Sequence, residues 1–158
     1  MFEGRNIIVA AGVAVAAALG ISSMAQRNDA GEIMEAGTVD AFEVRVGDCF
    51  QDAAFASEDV SEVPGIPCSD PHDNEVFAVF DVPGDWPGDE AIEEMAYQGC
   101  YDRFAGAIGK SYEESIIDYT VIYPSEGSWQ ERGDREVLCV GYHMEYEQLT
   151  GSIIGSGM

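Results

Sequence analysis

A chain of 158 residues that is 46% apolar and 10% aromatic has the size of one ordinary globular domain and is too apolar for an acidic disordered tail. Thirty acidic residues against seven basic ones leave a formal charge of −23, so a surface that binds nucleic acid or anionic lipid is excluded by repulsion. That charge reads first as a solvated coat and more sharply as a docking face for a basic partner or a collector of cations.

In chain order, residues 1–6 make a short N-terminus and residues 7–24 (IIVAAGVAVAAALGISSM) carry no charge. At the helical rise such a run is just long enough to cross a thin hydrocarbon core, which predicts a single-pass transmembrane anchor. A cleaved signal peptide is the rival, because Arg5 precedes the run and Ser23-Met24-Ala25 places small residues where a signal peptidase reads. Arg5 and Arg27 flank the segment symmetrically, so the positive-inside rule is weak. The cysteines break the tie: they put the C-terminal part outside the cytoplasm and residues 1–6 inside. Gly12, Ala16 and Gly20 recur on one face, as a helix packing against a partner in the membrane would have them. Residues 25–41 are polar, with small residues and no sustained period, and read as a tether.

The domain is expected from residue 42 to 158. Phe42, Val44 and Val46 alternate with Glu43 and Arg45 ahead of Gly47-Asp48, a strand entering a turn. A loop leads to Pro67-Cys68-Ser69-Asp70-Pro71-His72-Asp73, which is turn chemistry throughout. Residues 75–82 (EVFAVFDV) predict a central strand, and 83–88 a rigid turn. Residues 89–108 predict a helix, with Asp89 as its cap, Glu90, Glu93 and Glu94 near its positive end, and Gly109 as its stop. Its apolar face is Ile92, Ala96, Cys100, Phe104 and Ile108. A third strand follows at 116–123, a polar turn around Trp129 at 124–134, a fourth strand at 136–146 with Gly141 as a candidate bulge, and a weakly structured tail from Leu149. The fold class is α+β: a mostly antiparallel sheet of about four or five strands with one packed helix behind the transmembrane segment.

Cys49, Cys68, Cys100 and Cys139 include no CxxC pair, which removes the usual zinc-ribbon and thioredoxin spacings and favours two disulfides. Four cysteines allow three pairings. Cys100 lies on the inward face of the helix and Cys139 in the middle of the last strand, which suggests Cys100–Cys139 and, by remainder, Cys49–Cys68.

Candidate chemistry is sparse. His72 and His143 are the only histidines, and no HExxH, GxSxG, Walker or GxGxxG run occurs, so nucleophilic and phosphate-binding chemistry lack a candidate and no cofactor is expected. The sharpest catalytic reading is a metal site of His72, Asp73 and Glu75, perhaps joined by Asp70 or His143, which would activate water in an envelope hydrolase. Against it, Asp70, His72 and Asp73 are residues that commonly satisfy the backbone of a turn. Adjacent acids such as Glu93-Glu94 and Glu113-Glu114 carry no weight in so acidic a chain. Arg135 beside Asp134 is expected to be ion-paired at a turn, and Trp129 is either core or an exposed anchor; the two are the candidate interaction residues.

Several runs taken together resemble the septum formation family, domains of actinobacterial membrane proteins. They are Val46-Gly47-Asp48-Cys49-Phe50, residues 63–76 (VPGIPCSDPHDNEV), Cys100 before Phe104, Tyr123-Pro124, Trp129, Gly133-Asp134-Arg135, Cys139 and Leu149-Thr150-Gly151-Ser152. The resemblance implies an envelope-facing module linked to septum formation and implies no reaction, ligand or catalytic residue. The expectation is a non-catalytic binding or scaffold module, held at the cell membrane with its domain outside, whose partner is an envelope or division protein. The alternatives are an accessory subunit of another membrane complex, on the strength of the Gly12, Ala16, Gly20 face, and the metal-dependent hydrolase.

Overall fold

The computed structural model describes residues 5–7, 23–52 and 59–158, with side chains for 23–52 and 60–158. The centre is a long antiparallel sheet. In chain order its strands and their neighbours are β1 (Arg5–Ile7), β2 (Gln26–Arg27), β3 (Ile33–Glu35), β4 (Gly37–Asp40), β5 (Cys49–Phe50), β6 (Asp59–Val60), β7 (Glu62–Ile66), β8 (Asn74–Asp81), helix α1 (Asp89–Ile108), a 3-10 turn (Tyr112–Glu114), β9 (Ile117–Tyr123), helix α2 (Glu126–Arg132) and β10 (Glu136–His143). Eight strands form one sheet in the order β4-β7-β5-β8-β10-β9-β1-β6, while β2 and β3 pair separately.

The three longest strands lie side by side, with β10 between β8 and β9. β10 is buried along almost its whole length because the sheet is covered on both faces, and its unbroken apolar run fits that position. On one face α1 lays down Ile92, Ala96, Cys100, Phe104 and Ile108, all fully buried, against Phe77, Val121, Val137 and Cys139. On the other, the sheet curls over Ile33, Val39, Val44, Phe50, Val63, Val76, Ile122, Leu138 and Val140. The disulfides Cys49–Cys68 and Cys100–Cys139 pin β5 to the turn before β8 and α1 to β10.

Several local expectations change. The N-cap of α1 is Gly88 and its side-chain cap is missing; Asp89 lies inside the first turn, where its charge still meets the positive helix end. Gly109 does end the helix, in the left-handed region at φ 87. Residues 42–46 form turns rather than a strand, because Asp40 and Asp48 carboxylates take the backbone N–H groups of Phe42 and Arg45 and draw the chain into tight bends. The stretch expected as a polar turn around Trp129 is α2, started by a reciprocal Ser125–Ser128 capping box whose second member is serine in place of the usual Glu or Gln. The register shift in β10 falls between Cys139 and Val140, not at Gly141. Gly141 is instead a close-approach site: a Cβ there would lie 2.4 Å from Ile153 Cδ1.

Two larger differences concern the ends of the domain. Residues 25–41, read as a tether, are stitched to the sheet: Gly37–Asp40 pairs with β7, and Thr38 exchanges backbone hydrogen bonds with Ser23 and Ala25. The tail from Leu149 is also ordered. Leu149 and Ile153 are buried, Leu149 bridges His72, and the N–H groups of Gly155 and Gly157 donate to the carbonyls of Ala107 and Ile108 at the end of α1. These residues adopt extended or turned backbone set by distant partners, which a short-range period does not reveal.

Residues 8–22, with Gly12, Ala16 and Gly20, lie outside the described residues, so most of the 7–24 segment does too. Among the described residues no helix is long and apolar enough to cross a membrane. The backbone of Arg5–Ile7 pairs with β6 and with Ile122–Tyr123 of β9.

Candidate functional site

Two places gather chemistry. The first is buried and begins from the fact that the second residue of β8 is a carboxylate, Glu75, at the head of the apolar run Val76–Phe80. Its neighbours Cys49 and Gly141 face it across the sheet, and its side chain points to the side where the tail crosses. A buried carboxylate must be hydrogen-bonded to be tolerated. Ser152 Oγ donates to one oxygen at 2.5 Å and the Ile153 N–H to the other at 2.6 Å. Burial nevertheless holds the Glu75 carboxyl above its ordinary range, opposed by those two donors.

His72 lies next to it, fully buried at the antiparallel bridge with Leu149. Its Nδ1 is 2.8 Å from the Asp70 carbonyl oxygen. That oxygen can only accept, so Nδ1 carries a proton, and in the neutral imidazole the lone pair is on Nε2. Nε2 is buried with no hydrogen-bond partner. One donor atom each from Cys49, His72 and Glu75 lie within 4.8 Å of one another. The Cys49 sulfur is committed to the disulfide with Cys68.

This site differs from the metal set expected from sequence. Of His72, Asp73 and Glu75, the first and third come together and Asp73 does not join them. Asp73 accepts from the Asp52 N–H and from Gln148, fixing the turn. Asp70 contributes its backbone carbonyl rather than its carboxylate. His143 sits at the end of β10 with Nδ1 accepting from the Glu145 N–H. The third member, Cys49, is far from both in sequence and bonded to Cys68, so spacing does not mark it as a ligand.

The second place is an open groove of about 580 Å³ lined by Asp40, Phe42, Glu43, Asp81, Arg132 and Glu136, among others. Trp129 is core: it is 3% exposed and meets Trp86 edge-on. Arg135 lies flat over the Trp129 ring, 3.7 Å from its centroid, and donates to the carbonyl oxygens of Trp129 and Asp134. It therefore holds the turn through π-stacking and backbone contacts. Arg132 covers Phe42 in the same way at 4.2 Å. Asp134 accepts from Ser128 Oγ and from the Glu136 N–H, closing α2 onto β10.

An ion pair with a buried carboxylate adjoins the first place. Arg27 grips Asp48 with two parallel bonds of 2.6 and 2.7 Å, and Asp48 also accepts from the Arg45 N–H. Asp48 precedes Cys49 directly, so this pair fixes the run that enters β5.

The run from Val46 through the paired cysteines to the end of β10, with these turns between, is the part matched by a family model. Residues 46–148 match the model described as Septum formation. The chain belongs to the septum formation family. The match takes in all four cysteines, His72 and Glu75, whereas Arg27, Ser152 and Ile153, which complete the two buried carboxylates, lie outside it. Searches of curated proteins and of solved structures returned no match. Family membership links the chain to septum formation or envelope processes.

Proposed function

We propose that this septum formation domain is a non-catalytic recruitment module, carried outside the cytoplasm on its N-terminal hydrophobic segment, whose acidic face docks a basic segment of an envelope or division protein. One observation supports the reading above the rest. The acids outnumber the bases thirty to seven, and four of the bases lie against neighbours of their own chain: Arg27 on Asp48, Arg103 over Phe80, Arg132 over Phe42 and Arg135 over Trp129. With four of seven basic residues so engaged, the acids dominate the surface, and the groove edged by Asp40, Glu43, Asp81 and Glu136 offers a concave acidic path. The two disulfides suit a small domain that must stay folded in an oxidising compartment.

Anchoring makes a structural demand. A single-pass segment with residues 1–6 on the other side of the membrane is incompatible with Arg5–Ile7 paired to β9, so the anchored form would release that strand. The decisive experiment is photo-crosslinking in native membranes from a reactive residue placed at Glu43 or Glu136. Capture of one division or envelope protein, lost on reversing Glu43, Asp81 and Glu136 to Lys, supports the proposal. An unchanged crosslink in the reversed variant, or a fluorescent fusion spread evenly around dividing cells, removes it. The hydrolase reading draws no comparable support, since His72 and Glu75 are sealed beneath the tail, where a polymeric substrate has no approach.

A further inference from the structure

The buried Cys49–His72–Glu75 cluster has the features of a metal site with one ligand withheld. A histidine that binds a metal through Nε2 usually donates Nδ1–H to a carbonyl, which fixes its tautomer, and His72 does this with Asp70. Ligating carboxylates are usually held by further hydrogen bonds, as Glu75 is by Ser152 and Ile153. Nε2 of this clustered histidine is fully buried and unpartnered, a costly arrangement for a polar atom with no task. The third donor atom is sulfur, which is no ligand of consequence while bonded to Cys68 and a strong one as a thiolate.

We propose that reduction of the Cys49–Cys68 disulfide turns this cluster into a site for one zinc-type divalent ion, with sulfur, nitrogen and oxygen ligands from Cys49, His72 and Glu75, and that reoxidation expels the ion. Cys68 is half-buried and Cys49 fully buried, so an external dithiol attacks Cys68 Sγ. The S–S bond breaks, a mixed disulfide forms on Cys68, and Cys49 leaves as a thiolate beside the His72 Nε2 lone pair. The second thiol of the reductant then displaces Cys68. The products are the cyclic disulfide of the reductant and two protein thiols, a balanced two-electron exchange. Ligand atoms around a tetrahedral zinc stand about 3.3–3.8 Å apart, given bonds of about 2.0–2.3 Å. Donors already within 4.8 Å of one another need to close by about 1 Å.

The test uses Co²⁺ as a spectroscopic probe, titrated into the full-length chain in detergent. Three samples are compared: oxidised protein, protein reduced with a dithiol that is then removed anaerobically, and Cys68→Ser, which frees Cys49 without reductant. The expected result is one Co²⁺ bound with a thiolate-to-cobalt charge-transfer band in the reduced protein and in Cys68→Ser, displaced by Zn²⁺, and at least about 100-fold weaker binding without that band in the oxidised protein. Adding His72→Ala or Glu75→Gln to Cys68→Ser weakens binding by about 10-fold or more. The proposal is overturned if the reduced wild type, shown folded by near-ultraviolet dichroism, binds no stoichiometric Co²⁺ with that band, or if His72→Ala leaves the affinity unchanged. Because the reduced wild type carries the decision alone, a Cys68→Ser chain that fails to fold does not rescue it. The acidic surface cannot mimic the result, since carboxylates give no such band.

Discussion

Arg27 and Asp48 show most sharply how one residue can carry a segment. The pair is bidentate, and Asp48 is almost wholly buried, so removing the guanidinium leaves a desolvated carboxylate with one backbone donor. Arg27→Met should therefore destabilise the domain by about 2–4 kcal/mol, read as a lower urea midpoint, and should free residues 23–41 to amide exchange before the rest. A loss below about 0.5 kcal/mol would show that the pair behaves as an ordinary surface bridge. None of this was legible in the sequence, where Arg27 looks like a residue flanking a hydrophobic run. Glu75 was half legible: a carboxylate at the head of a buried apolar run demands partners, yet Ser152 and Ile153 stand 77 and 78 positions away and carry no signal of their own. His72 and Glu75 come together beneath the tail, whereas Asp73 is turned to Asp52 and Gln148, an arrangement that nearness in sequence does not reveal.

At the scale of elements, the apolar face of α1 was legible because it repeats every turn and Cys100 falls on it; β8, β9 and β10 were legible as long apolar runs. The short strands β2 to β7 were not, being two to five residues long and paired with remote partners. Between α1 and β9 lies an aromatic cluster in which Tyr112 and Tyr119 meet edge-on, with Phe104 beside them. Tyr112 donates to Asp118, and burial with that neighbouring carboxylate pushes its phenol from 10.0 to about 12; burial does the same to Tyr123. A phenol is neutral when protonated, so a raised pKa in the fold means that folding favours the protonated form. Its contribution is complete below pH 10 and is lost as the pH climbs towards 12. Stability should therefore fall through that window, and Tyr112→Phe should make the fall shallower. A midpoint in urea independent of pH between 10 and 12 would contradict this assignment.

For the whole molecule, a charge of −23 makes self-repulsion a standing term against the compact state. Raising NaCl from about 20 mM to about 500 mM shortens the screening length from about 20 Å to about 4 Å and should raise Tm by several degrees, measured by differential scanning calorimetry. A Tm that falls with salt would mean that the Arg27–Asp48 type of contact outweighs the repulsion. The overall charge and the class of fold were visible in composition and pattern; the eight-stranded sheet was not, because half its strands recruit residues that look like connectors.

The stitching of residues 23 to 40 bears on how far such a module could reach. A free stretch from 25 to 41 would be a leash of up to about 55–60 Å, letting the domain roam a hemisphere around its root. With Ser23 and Ala25 bonded to Thr38 and Arg27 locked on Asp48, that leash is wound in. A domain held at the membrane by the preceding segment would stand close to its root, sampling partners within about 35 Å of the bilayer, the domain's own diameter, rather than at the end of a leash.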